Sequence, residues 1–325
     1  MRLGVIGTMV WDLIHARDGR AEPFEEWGGI TYALAAADAA LPTGWTLVPI
    51  IKVGSDLRDR AFSFLHTLDS ADLSAIRAVD APNNRVELTY ESRERRCERL
   101  TGGVPPWTWE ELEPVLADID ALYVNLISGF ELELATALKL RLGYKGPIYC
   151  DLHSVLLGVD ANGLRTPQPL AAWREWLRCF DVVQVNEDEL GLLAHYWGDP
   201  WQFAAEVVGE QLKALLVTLG ARGSVYVRHE EFCPDPMSWR RPELIVPRIA
   251  PHAHAISARV EPVLTSSDGD PTGCGDVWGA TCFCQLLGGA SLEDAMRAAN
   301  RAAARNVDHR GATGLNHYLK GRISK

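Results

Sequence analysis

The chain has 325 residues, of which 47% are hydrophobic, and a formal net charge of −11. That length suits one large domain or two smaller ones, and the apolar content supports a substantial core. The acidic balance argues against nucleic acid as a partner, because phosphate backbones attract a surplus of Lys and Arg. It leaves room for a small phosphorylated ligand held at a local positive site. No uninterrupted apolar run reaches membrane-spanning length, so no membrane partner is expected. The apolar stretch at the N-terminus is cut by Asp12 before it reaches signal-peptide length. Seven cysteines are scattered without the paired C-x-x-C spacing of a zinc site, and free thiols fit a reducing cytoplasm.

In chain order, Arg2 to Ile6 reads as a strand. Thr31 to Leu41 follows as an alanine-rich helix, Leu47 to Val53 as a strand, and Leu57 to Leu68 as an amphipathic helix. From Asn84 to Leu100 the pattern changes. Val86 to Tyr90 alternates with period two, and the charged run Glu91 to Arg99 fits a hairpin return with a solvated face. Strands at Leu122 to Ile127 and Ile148 to Cys150 flank a helix at Leu132 to Leu142. Val182 to Val185 is a strand leading into a helix near Asn186, and Leu215 to Leu219 is another strand. Phe232 to Pro262, with prolines at 234, 236, 242, 247 and 251, reads as an irregular insertion. Two helices close the chain, Val277 to Leu287 and Leu292 to Val307. Apolar strands separated by helices imply a mainly parallel sheet covered on both faces.

Chemistry concentrates at the strand ends. Asp270-Pro271-Thr272-Gly273-Cys274-Gly275-Asp276 runs straight into the Val277 helix. Two glycines flanking one small residue let the backbone approach a ligand closely. A helix start offers unpaired N–H groups and partial positive charge, which suit a phosphate. Asp276 would stand beside that anion site, able either to cap the helix or to accept a hydroxyl proton. Thr218-Leu219-Gly220-Ala221-Arg222-Gly223 leaves a strand with two glycines, serving a nucleotide or an ordinary turn. Asn186-Glu187-Asp188-Glu189 has capping-box spacing, and its three carboxylates could hold a hydrated Mg²⁺. Gly7 to Asp12 puts a carboxylate at the first strand end, and Gly28-Gly29 precedes the alanine-rich helix. Gly4 and Gly7 lack the spacing and third glycine of a Rossmann dinucleotide fingerprint.

Together these motifs resemble the ribokinase-like (PfkB) carbohydrate kinase family. The stretch through Asp276 is similar to its D-x-T-G-x-G-D signature, Thr218 to Gly223 to T-x-G-x-x-G, and Asn186 to Glu189 to N-x-x-E. The resemblance implies a three-layer α/β sandwich with a mainly parallel central sheet and a small β-sheet lid. It implies a single kinase domain over 1–325, with the lid from about 12–27 and 84–101. It also implies ATP and Mg²⁺ as cofactors, with possible K⁺ activation. Asp276 would be the catalytic base, with Gly273, Cys274 and Gly275 as an anion hole. Thr218, Gly220, Gly223, Asn186 and Asn300 would meet the nucleotide, and Glu189 the metal. Asp12, Gly28 and Gly29 would hold the hydroxymethyl-bearing sugar substrate.

Two departures touch the acceptor. Ala33 stands where the family commonly has a sugar-binding Asn. In Asp151-Leu152-His153-Ser154-Val155, His153 and Val155 replace the Asn and Arg of D-x-N-x-R. A nucleoside kinase of the same fold therefore stays open, as does a catalytically silent ligand-binding relative. A homodimer through the lid is a further expectation, because an exposed sheet edge often pairs with another chain.

Overall fold

The computed structural model describes residues 1–15, 23–90, 96–209, 212–239, 255–264 and 269–323. Its first half runs β1 (Arg2–Ile6), β2 (Met9–His15), β3 (Phe24–Gly29), α1 (Ile30–Ala40), β4 (Thr46–Ile50), β5 (Lys52–Gly54) and α2 (Arg58–Leu65). Then come β6 (Arg77–Val79), β7 (Arg85–Tyr90), β8 (Arg96–Thr101), α3 (Trp109–Leu116), β9 (Ala121–Asn125), α4 (Leu134–Gly143) and β10 (Ile148–Asp151). The second half begins with β11 (Leu157–Val159), β12 (Arg165–Pro167), α5 (Trp173–Arg178), β13 (Val182–Asn186), α6 (Glu187–Leu193) and α7 (Pro200–Val207). It ends with β14 (Ala214–Thr218), β15 (Ser224–His229), β16 (Ala255–Val260), α8 (Cys274–Leu287), α9 (Leu292–Val307) and α10 (Leu315–Leu319).

The main sheet has eight strands in the order β16-β15-β14-β13-β10-β9-β1-β4. Neighbours from β4 to β14 are parallel, and β15 and β16 add antiparallel pairs at one edge. Successive side chains of a strand face opposite sides, so an unbroken apolar strand can feed two cores at once. On β9, Tyr123 joins the core built with α1, α8 and α9. Its neighbours Leu122 and Val124 join the core on the other face, with α3, α4 and α7. The result is a three-layer α/β sandwich, as the resemblance implies.

β1 and β9 are neighbours, yet the chain leaves β1 for β4 on the far side before returning to β9. Connections therefore diverge at this point, and the crevice outside the carboxyl ends of β1 and β9 is the natural ligand site of such a sheet. A second sheet of four strands, in the order β3-β2-β7-β8, stands beside it. β2 pairs antiparallel with β3 and parallel with β7, and β7 pairs antiparallel with β8. Trp11 and Trp27 meet edge to face across β2 and β3, with ring centroids 4.9 Å apart.

The structure alters several element expectations. The strand expected over Leu47 to Val53 is two, because β4 stays in the main sheet while β5 turns away to pair with β6. The helix expected from Leu57 to Leu68 is α2, entered through a short 3₁₀ turn and ended at Leu65. α8 begins at Cys274, three residues before the expected start at Val277, because left-handed Gly273 caps it. The hairpin within Asn84 to Leu100 is present as β7 and β8 but belongs to a larger sheet. Its turn residues 91–95 lie outside the described residues, as do 16–22 and most of the Phe232 to Pro262 segment. What is described of that segment ends in a regular edge strand, β16.

Candidate functional site

The loop before α8 is folded by its own side chains. Asp270 Oδ1 accepts hydrogen bonds from the Thr272 amide (2.9 Å) and hydroxyl (2.7 Å), and Asn306 Nδ2 donates to the Thr272 carbonyl at 2.8 Å. Gly273 then takes φ of 73°, a conformation that L residues other than glycine adopt at a cost. A Cβ there would lie 2.3 Å from the Tyr32 ring. α8 starts at once, so its first free N–H groups and the positive end of its dipole sit at this loop.

Asp276 is in the first turn, and Asn125 Nδ2, at the end of β9, donates to its Oδ1 at 2.8 Å. Gln184 of β13 binds the same helix start. Its Nε2 donates to the Gly275 carbonyl and to Asp151 Oδ2, both at 3.0 Å, and its Oε1 accepts from the Tyr149 hydroxyl at 3.0 Å. One turn on, a Cβ at Gly279 would fall 2.2 Å from Gln184 Oε1 and 2.6 Å from the Tyr123 hydroxyl. α8 therefore lies directly on the sheet's polar pins.

Asp276 and Gly273 open into a small cleft of about 80 Å³ that also receives Asp12, Gly29, Tyr32 and His153. Asp12 arrives on β2 and is buried. A Cβ at Gly28 would stand 1.8 Å from Asp12 Oδ2, so the glycine makes room for that carboxylate. Gly29, at φ 61°, turns the chain from β3 into α1. Ala33 is fully buried in α1.

His153 follows β10, and its Nδ1 bonds Glu189 Oε1 at 2.5 Å. Burial alone would lower its pKa, but the Glu189 carboxylate, with Asp151 and Asp276 behind it, outweighs that and raises it to about 9. The imidazole is therefore charged at neutral pH. Burial, then the charges of Glu189 and Asp276, push the Asp151 carboxyl upward.

Asn186 and Thr218 end β13 and β14 side by side. The capping box is formed: Asn186 Oδ1 accepts from the Glu189 amide at 2.9 Å, and Glu189 Oε2 accepts from the Asn186 amide at 2.7 Å. The expected cluster of three carboxylates does not assemble. Helical geometry turns Glu187 outward, where it pairs with Arg222, and leaves Asp188 exposed, while Glu189 is buried on its cap. Among the described residues, no group of three His, Cys, Asp or Glu side chains converges on one point.

Beyond Thr218, Gly220 has φ of 57° with open space around it, and Gly223 has φ of 89° against the Val260 carbonyl. Asn300 is buried, with Oδ1 accepting from Trp278 Nε1 (2.7 Å) and Nδ2 donating to the Glu261 carbonyl (2.9 Å). In this arrangement both ends of its amide bond protein groups.

The structure thus brings Asp12, Gly29, Gly273 and Asp276 to one cleft, while Gly28 backs Asp12 and neither Cys274 nor Gly275 belongs to the lining. Asn186, Glu189, Thr218, Gly220 and Gly223 lie at or just beyond the ends of β13 and β14, and of these Glu189 is joined to the cleft through His153. Sequence reasoning passed over Asn125 and Gln184, which hold the α8 start, and over Glu98 and Arg165, which line the cleft and pair at 3.4 Å. Asn125 ends an apolar strand, which is a weak signal; Arg165 had none.

No family model matches the sequence, and neither does any curated protein. Solved structures do match over nearly the whole chain. A ribokinase from Thermotoga maritima is 17% identical, with a TM-score of 0.72 over 99% of this chain and 98% of its own. An Arabidopsis thaliana ribokinase complexed with ribose and ATP is 18% identical, with a TM-score of 0.68 over 99% of both chains. A Burkholderia thailandensis nucleoside kinase in complex with inosine is 16% identical, with a TM-score of 0.68 over 99% of this chain and 97% of its own. With its parallel sheet, its four-stranded companion sheet and this breadth of structural likeness, the chain has the ribokinase-like fold.

Proposed function

We propose that this protein is an ATP-dependent phosphotransferase that phosphorylates an alcohol, the hydroxymethyl group of a sugar or sugar-like molecule. The observation that carries the reading is the placement of Asp276. It sits in the first turn of α8 behind a left-handed glycine, oriented by Asn125, and opens into the cleft that holds Asp12.

Asp12 and the Gly28-Gly29 backbone hold the acceptor, since a carboxylate accepts hydrogen bonds from hydroxyl groups. Asp276 takes the hydroxyl proton as oxygen attacks phosphorus. The N–H groups of Gly273 and Gly275 stabilise charge on the transferring phosphoryl group, while the Cys274 amide, expected to join them, is bonded to the Pro271 carbonyl at 3.1 Å. Asn186, Thr218, Gly220 and Gly223 form the nucleotide's edge. Asn300 supports that edge through Trp278 and the Glu261 carbonyl. The four-stranded sheet serves as a lid that excludes water, the competing acceptor.

The donor set fits a magnesium ion only in part. Glu189 is held by its cap and by His153, and no three ligands converge among the described residues. The ion would therefore be carried by phosphate oxygens and water, with Glu189 and Asp151 as outer partners. When bound it supplies charge neutralisation to the phosphates.

The test is ADP formation from ATP in magnesium buffer across sugars, polyols, sugar acids and nucleosides. Acceptor-dependent turnover that falls 10²- to 10⁴-fold, about the usual contribution of a general base, in Asp276→Asn is expected. Turnover unaffected by that change would overturn the assignment. A nucleoside acceptor is the second reading, favoured by the lack of an amide at Ala33.

A further inference from the structure

Glu189 is the residue expected to meet a metal ion, yet its carboxylate is taken up by three N–H donors. Oε2 accepts from the Asn186 amide at 2.7 Å, and Oε1 accepts from Asn186 Nδ2 at 2.8 Å. His153 adds the third contact, Nδ1 to the same Oε1 at 2.5 Å. A carboxylate only accepts, so Nδ1 is the donor. The Glu189 side chain is 9% exposed, while the imidazole is 36% exposed and lines the cleft that holds Asp276. His153 therefore stands between Glu189 and that cleft.

The local fold explains the arrangement. Asn186 and Glu189 are the two ends of the α6 capping box, so Glu189 is folded back on its own helix start. His153 opens a short 3₁₀ turn (His153–Leu156) just after β10, and β10 and β13 are neighbours in the main sheet. The end of one strand thus delivers an imidazole to the carboxylate beyond the end of the next. Asp151 and Asp276 lie near enough to act on the same imidazole. A carboxylate removed from water needs a positive partner, and either a side chain or a metal ion can serve. Mg²⁺ demands near-octahedral oxygen donors and gives up its waters reluctantly, so it needs carboxylate oxygens that are open to it. Here Oε1 spends both acceptor directions on N–H groups, and Oε2 is turned into the cap.

We infer that His153 is an internal partner that stands in for a divalent cation at Glu189, so that the chain without nucleotide offers no magnesium site there. His153 is a positioning residue: it acts through the carboxylate it holds. The block is geometric, because the Nδ1–H fills the direction a metal ion would need. Asparagine, the residue it replaces in the D-x-N-x-R pattern, carries no charge. The exchange His153→Asn therefore removes the cation and leaves Glu189 with Asp151 and Asp276 as its charged neighbours. The inference rests on the phosphotransferase reading only in its consequence, that this chain takes its magnesium together with the nucleotide.

Metal binding tests it without any turnover. Mn²⁺ alone, with no nucleotide, is titrated into the full chain, and electron paramagnetic resonance reads the free ion. The parent is compared with Glu189→Gln, His153→Asn and the double variant, each checked for cooperative thermal unfolding. The parent and Glu189→Gln should bind alike, so that whatever the acidic surface holds is common to both. His153→Asn should gain a site, with an affinity roughly tenfold or more above the parent's, the scale on which groups beside a metal ligand act. Mg²⁺ should displace the ion, and the double variant should lose it. A Mn²⁺ site in the parent that Glu189→Gln removes would overturn the inference, since the carboxylate would then be open already; that arm needs no change at His153. His153→Ala, which removes the donor altogether, carries the same comparison where the Asn variant does not fold. A folded variant of either kind that gains no site also overturns it. Acceptor-dependent turnover decides the other reading. Its absence leaves the metal titration standing, and a failed titration leaves an enzyme that depends on Asp276 standing.

Discussion

Gly273 and Gly275 flank the same cysteine, yet substitution by alanine should have opposite effects. At Gly273 the backbone has φ of 73°, and a Cβ would lie 2.3 Å from the Tyr32 ring. Left-handed backbone costs a side-chain-bearing residue roughly 1–2 kcal/mol. Tyr32 is 2% exposed and packed in the α1 core, so its ring cannot retreat into solvent. Overpacking of that kind adds roughly 1–3 kcal/mol. The sum is a loss of about 2–5 kcal/mol, or a fall of roughly 3–7 °C in melting midpoint for a chain of this size. At Gly275 the backbone is helical, and a Cβ meets only Gln184 Nε2 at 3.9 Å. Alanine is favoured over glycine in a helix by about 1 kcal/mol, so Gly275→Ala should be neutral or mildly stabilising. Urea and thermal unfolding of the two variants measure the contrast. Equal midpoints, or a Gly273→Ala protein as stable as the parent, would refute the left-handed cap and its contact with Tyr32.

Other outcomes can be measured on the same protein. Asp38 is buried; burial would raise its pKa, but Lys320, Asn316 and the Ser70 amide outweigh it and lower it. Its folded pKa is thus below the unfolded value of about 3.9, so its contribution is present above that pH and is lost on acidification through the folded pKa. Thermal midpoints between pH 5 and pH 2.5 should therefore fall more steeply in the parent than in Asp38→Asn. Burial pushes the Cys274 thiol up to about 11, so iodoacetamide at pH 8 should label exposed Cys233 well before Cys274, as peptide mass mapping would read. Asn300→Leu should cost about 1–3 kcal/mol in urea unfolding, because Trp278 Nε1 and the Glu261 carbonyl lose their partner.

The parts of the fold most legible in the sequence are those set locally. β9, β10, β13 and β14 are apolar along most of their length because both of their faces are covered, and such runs are visible without context. α9 starts and stops where its pattern does, since Ser291 caps it and its apolar face is regular. The Gly-Cys-Gly start of α8 hid three helical residues, because glycine reads as turn and only the tertiary contact with Tyr32 makes it a cap. The Leu47 to Val53 run gave no sign of its break, since β5 finds β6 through pairing rather than composition. Asp276, Gly273 and Asp12 were legible because strand-end motifs are short. Asn125 reaches Asp276 across 151 residues, and Gln184 reaches Gly275 across 91. Nothing in a local window signals such partners, and Arg165 depends on a hairpin seated against a separate sheet.

The direct seating of α8 on the main sheet, with Gly279 pressed against Gln184 and Tyr123, has a consequence for how this molecule can diversify. The floor beneath the Gly273 loop is cast by buried strands shared with two cores, so drift there is penalised by the whole domain. The walls of the cleft come in part from the four-stranded sheet and the β11–β12 hairpin, which can vary independently. Change in one half need not be matched in the other. A lineage built this way can change what the cleft admits while keeping the same helix start beneath it, which is how one scaffold comes to host many specificities.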